Sequence, residues 1–69
     1  MIQYVVYNSP DDFPGRFVVR QWDVSANGLE PMESWDFETL DDARAHIPDG
    51  FVCINRHYSD ELCIVETWI

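Results

Sequence analysis

Sixty-nine residues make a single domain, and a chain of this size buries only about 60% of its unfolded surface, leaving little volume for an enclosed catalytic pocket. Thirteen acidic side chains stand against four basic ones, all arginine, so the net charge is −9, and that field argues against direct binding of DNA or RNA. At 46% apolar, with three Trp, three Tyr and four Phe, the composition is that of a folded domain and not of a disordered chain.

Residues 2–7 (IQYVVY) are β-branched and aromatic and predict a buried strand, which Asn8, Ser9 and Pro10 stop. This opening has neither a basic region nor a long apolar run, so it reads as a strand and not as an export signal. No window approaches the ~18 apolar residues of a membrane span. With two cysteines, a reducing cytosol is the expected setting. Pro14-Gly15 marks a loop. Residues 17–24 (FVVRQWDV) predict a second strand, antiparallel to the first, with Phe17, Val19 and Gln21 on one side and Val18, Arg20, Trp22 and Val24 on the other.

Ser25-Ala26-Asn27-Gly28 is a turn. The following LEPMESWDF is acidic and broken by Pro31, and it reads as an irregular connection with a short extended piece at 34–37. A two-turn helix is expected at 40–47, with Thr39 as N-cap and Asp41 and Asp42 favouring the positive end of its dipole. Leu40, Ala43 and Ile47 form its apolar face, and Arg44 and His46 point elsewhere. Pro48 ends it. Residues 51–58 (FVCINRHY) and 61–69 (ELCIVETWI) predict a last hairpin around Ser59-Asp60. The expected fold is α+β, ββαββ: a four-stranded antiparallel sheet with one short helix packed on one face and the opposite face uncovered.

Cys53, His57 and Cys63 lie on the predicted last hairpin, with Cys63 diagonal to Cys53 and His46 as a conceivable fourth ligand. The close CxxC or HxxxH pairs of structural zinc are absent, and cysteines in strands commonly act as small hydrophobes, so no metal is expected. A Cys53–Cys63 disulfide is within reach across such a hairpin but disfavoured in a cytosol. Thiol catalysis needs an electropositive environment that this acidic chain lacks. The pairs Asp11-Asp12, Asp41-Asp42 and Asp60-Glu61 fit caps and solvated loops better than an acid/base pair. No nucleotide-binding or calcium-binding loop is present. The chain reads as a non-enzyme without cofactor.

The chemistry concentrates in one stretch. Glu30, Glu33, Asp36, Glu38, Asp41 and Asp42 fall within 13 residues, interleaved with Trp35 and Phe37. Carboxylates held along a loop and a helix edge resemble a row of phosphates, the pattern that arginine clusters of nucleic-acid-binding proteins engage. Trp35 would supply an apolar anchor. The plainer alternative puts Trp35 and Phe37 in the core and leaves the acids as a solvated face that keeps a small protein soluble.

YVVYNSPDDFPGRFVVRQW, ETLDDARAHIPDGF and the closing VETWI together resemble a group of short proteins carried by bacteriophages and prophages. The resemblance implies a host-cytoplasmic setting. By size and charge the chain is similar to anti-CRISPR and other anti-restriction proteins, several of which imitate DNA. The functional expectation is a non-catalytic anti-defence inhibitor that binds a basic, nucleic-acid-binding surface of a host protein complex through Glu30, Glu33, Trp35, Asp36, Glu38, Asp41 and Asp42. The alternative is a phage structural or assembly protein that self-associates through the bare sheet face as a homodimer, burying Trp22 or Trp68.

Overall fold

The computed structural model describes residues 1–55 and 63–69. Five strands and one helix follow in the order β1 (Ile2–Asn8), β2 (Phe17–Ser25), β3 (Gly28–Phe37), α1 (Leu40–His46), β4 (Cys53–Asn55) and β5 (Ile64–Trp68). The strands form one antiparallel sheet in the order β3-β2-β1-β5-β4. The α+β class and the antiparallel sheet agree with the sequence; the strand count does not. The predicted irregular connection is the ten-residue strand β3, and only its end at 34–37 was expected.

Two local features allow β3. Gly28 closes the turn from β2 at φ 117°, a backbone region that only glycine enters without strain, while the Asn27 N–H donates to Ser25 Oγ at 3.3 Å. Pro31 is tolerated because β3 is an edge strand, where a missing N–H interrupts no central ladder. Beside it the register shifts, so that Met32 and Glu33 together oppose Gln21 in a β-bulge.

Strand β1 sits at the centre, and its residues 4–7 are buried in succession because both faces are covered. On one face α1 lays Ala43 and Ile47 over Tyr4, Val6 and Val19, with Phe17, Trp35, Phe37, Leu40, Phe51, Val65 and Trp68 around them. On the other, Val5, Tyr7 and Val18 form a second cluster with Phe13, Trp22, Cys63 and Ile64. That face is therefore partly covered: the 9–15 loop folds Phe13 onto it, pinned by the Gly15 N–H donating to Ser9 Oγ at 2.9 Å. The alternation predicted for β2 holds, with Phe17 and Val19 under the helix and Val18 and Trp22 opposite. The accessible surface is 4694 Å², close to the ~4,500 Å² that area scaling gives for this mass.

The helix is capped as expected: the Asp42 N–H donates to Thr39 Oγ1 at 3.2 Å, and Ile47 is its C-cap. Two of its side chains depart from expectation. Arg44 and His46 do not point away; they flank the apolar face and reach the sheet, Arg44 to Glu66 and His46 to the rings of Trp35 and Phe37. Seven residues bury too little to hold a helix by themselves, and these contacts add to the docking. Of the predicted last hairpin, β4 and β5 pair antiparallel, while the Ser59-Asp60 turn, His57 and the rest of residues 56–62 lie outside the described residues.

Candidate acidic interface

Alternation along β3 decides where each acid goes. Asp36 stands opposite Val18 on the face away from the helix, where Arg16 Nε donates to its Oδ2 at 3.1 Å. Trp35 stands opposite Val19, half-buried in the helix-side core, its ring centroid 4.3 Å from that of His46. The predicted constellation is therefore divided: Trp35 serves packing, Asp36 is paired, and both leave the proposed contact. Glu30 lies opposite Asp23 on the helix side, Glu33 sits in the bulge, Glu38 follows β3, and Asp41 and Asp42 occupy the first turn of α1. These five are exposed.

Among the described residues, none of the five forms an ion pair. Among the described residues Arg16 pairs with Asp36, Arg20 with Asp12 at 2.8 Å, Arg44 with Glu66 at 2.6 Å, and the terminal ammonium with Asp23 at 3.5 Å. None of these ion pairs includes Glu30, Glu33, Glu38, Asp41 or Asp42, although Asp41 lies within the field of Arg44. From Glu30 to the helix start the acids span on the order of 25 Å at ~3.3 Å per strand residue. One charge per roughly 5 Å is sparse beside duplex DNA, at about one per 1.7 Å, and closer to a single strand, at about one per 3.4 Å.

A second charged constellation escaped the sequence reading. Glu66 is only 3% exposed and accepts hydrogen bonds from three nitrogens: Arg44 Nη2 at 2.6 Å, Arg44 Nε at 3.2 Å, and Trp68 Nε1 at 2.6 Å. Its position results from a bulge. Val6 pairs with Glu66 but Tyr7 pairs with Ile64, so Val65 is the extra residue and the alternation inverts. Without it Glu66 would share the face of Ile64. Burial pushes the Glu66 carboxyl up, but the bonds from Arg44 and Trp68 and the guanidinium charge outweigh it and hold the group below its usual range. The arrangement rivets α1 to β5. One signal was available: Glu66 is the one charged residue of β5, directly after the apolar Ile64 and Val65.

The expected placement of Cys63 diagonally across from Cys53 is corrected. Cys53 pairs with Trp68, not with the neighbourhood of Cys63, which lies five residues earlier along the chain. At ~3.3 Å per residue that is roughly 15 Å, beyond a shared ion or the ~4.4–6.8 Å Cα separation of a disulfide. Partial burial and the Glu66 carboxylate push the Cys53 thiol up, away from the reactive thiolate. His46 is committed to its aromatic neighbours, His57 lies outside the described residues, and no metal-competent cluster occurs among those described.

Compared with protein-family models, curated proteins and solved structures, the chain matches none. Among the described residues no helix is long and apolar enough to cross a membrane.

Proposed function

We propose that this protein is a non-catalytic binding protein whose edge from β3 to α1 engages a basic surface of a partner. The observation that carries the reading is the concentration of five exposed carboxylates on one edge while each described arginine is already committed to another acid. An internally balanced surface would have spread its arginines among them. Partner guanidinium and ammonium groups supply what the chain withholds, and the field steers such a partner from a distance. The resemblance to phage-carried proteins makes the partner a nucleic-acid-binding complex of the bacterial host, and the role anti-defence inhibition. Imitation of one nucleic-acid strand is the specific form of that reading.

The test is capture from a bacterial host extract by the tagged protein, eluted with a salt gradient. It is run beside a variant carrying Glu30→Gln, Glu33→Gln, Glu38→Gln, Asp41→Asn and Asp42→Asn. The expected result is a nucleic-acid-binding complex that elutes at moderate salt, is competed by single- or double-stranded DNA, and is missing from the variant. Equal capture by the folded variant would overturn the proposal.

A further inference from the structure

One buried carboxylate fixes where the arginine of the helix places its charge. Glu66 is too deeply buried for a partner to reach, and its two oxygens are taken by Arg44 Nη2 and Nε and by Trp68 Nε1. Trp68, a candidate from sequence for a contact on the bare sheet face, lies on the helix side instead. A buried ion pair is weak ground for stability by itself, since apolar residues of similar volume often dock as well or better. What the pair does achieve is to hold the Arg44 guanidinium in one place.

Arg44 has a second acid within reach. Asp41 stands three residues earlier on α1, on the same side of the helix, with the acid N-terminal to the base, the order that favours such pairs. The hydrogen bond and charge of Glu66 do most to raise the Arg44 guanidinium above its ordinary value, and Asp41 is the other carboxylate whose field adds to this. Glu66 takes Arg44 through two nitrogens, at 2.6 and 3.2 Å, and draws the guanidinium toward β5; Arg44 forms no ion pair with Asp41. We propose that Glu66 is a positioning residue of the acidic edge: by holding Arg44 on the sheet it keeps the guanidinium off Asp41 and leaves that carboxylate to a basic partner. This rests on the reading of the edge as the contact for such a partner, and it names what sets the charge of that edge.

The role differs from that of a rivet alone. A rivet acts through the attachment of α1, so its loss lowers binding whatever becomes of Arg44. Sequestration acts through Arg44 itself. With Glu66 neutralised, the guanidinium turns back along the helix to Asp41, and the edge falls from five available carboxylates to four. Removing Arg44 as well returns the fifth, and with it the net charge of −9, since one acid and one base are lost together.

Titration of a fluorescein-labelled oligoarginine peptide, followed by anisotropy at low and physiological salt, tests it, with circular dichroism confirming that each variant is folded. The variant neutralised at all five edge acids shows first whether the probe uses the edge: if it binds as well as wild type, the edge reading falls and this inference with it. If its binding is lost, Glu66→Gln in the otherwise native chain should weaken the probe by about two- to fivefold, the worth of one exposed ion pair. Glu66→Gln combined with Arg44→Gln should return to the wild-type affinity, and Glu66→Gln should add no loss in an Asp41→Asn background. Asp11→Asn makes the same change in net charge, on the 9–15 loop, and should cost less. Asp41→Asn alone should weaken the probe by about two- to fivefold, which tests the free carboxylate without disturbing the buried pair. An Asp41→Asn variant that binds as wild type does, or a double variant that stays as weak as Glu66→Gln, would overturn the inference while the edge reading stands.

Discussion

Replacing Glu66 by Gln tests whether the buried carboxylate is the rivet between helix and sheet. The substitution keeps the shape and removes the charge. Three N–H groups then lose a charged acceptor, and the new amide turns a donor toward Arg44 in place of one carboxylate oxygen. Hydrogen bonds to charged groups contribute about 1.5–3 kcal/mol, and the lower cost of burying a neutral amide returns part of that. The net loss at neutral pH is about 1–2 kcal/mol. For a domain of this size each kcal/mol moves the melting temperature by roughly 4–8 °C, so a fall of about 5–15 °C is expected. Urea unfolding followed by tryptophan fluorescence, with thermal melts by circular dichroism, measures it. The pH dependence makes the test specific. Because the folded-state value is depressed, the stabilisation is complete above the ordinary glutamate value of about 4.3 and is lost as pH falls through the folded value. The gap between wild type and Glu66→Gln should therefore close on acidification. Equal stability at pH 7, or a gap that persists undiminished in acid, would refute the rivet.

Thr39→Ala deletes the N-cap acceptor of the Asp42 N–H and should lower stability by about 1 kcal/mol, read from the urea midpoint at constant slope. Mild oxidation of the purified monomer should give no internal Cys53–Cys63 bridge, so intact mass spectrometry should show no loss of about two mass units; a quantitative internal disulfide would contradict the β4–β5 register.

Local chemistry was legible where it acts alone. β-branched runs mark β1 and β2, the Thr39 cap and the Leu40, Ala43, Ile47 spacing mark α1, and strict alternation assigned Val18 and Val19 to opposite faces. Strand β3 was misjudged because Pro31 and the glutamates forbid a central strand but not an edge one, and which strand lies at the edge is a property of the sheet order. The acidic stretch is a fact of sequence. Its division into a paired Asp36, a packed Trp35 and five exposed acids outside the ion pairs of the described residues came from strand pairing, which brings Arg16 beside Asp36.

The bulges show the limit most clearly. An extra residue at Val65 inverts the alternation and carries Glu66 from the open face to the helix, where Arg44 meets it from 22 residues away. Nothing in the neighbouring residues announces that shift, since it is the register against β1 that creates it. By itself, then, the sequence determined the class of fold, the helix and its cap, the faces of the regular strands and the excess of acid, because these follow from side-chain period and composition. The tertiary structure alone decided which strand is the edge, which acids keep a counter-ion and which acid Arg44 serves, because each depends on groups far apart in the chain meeting in space.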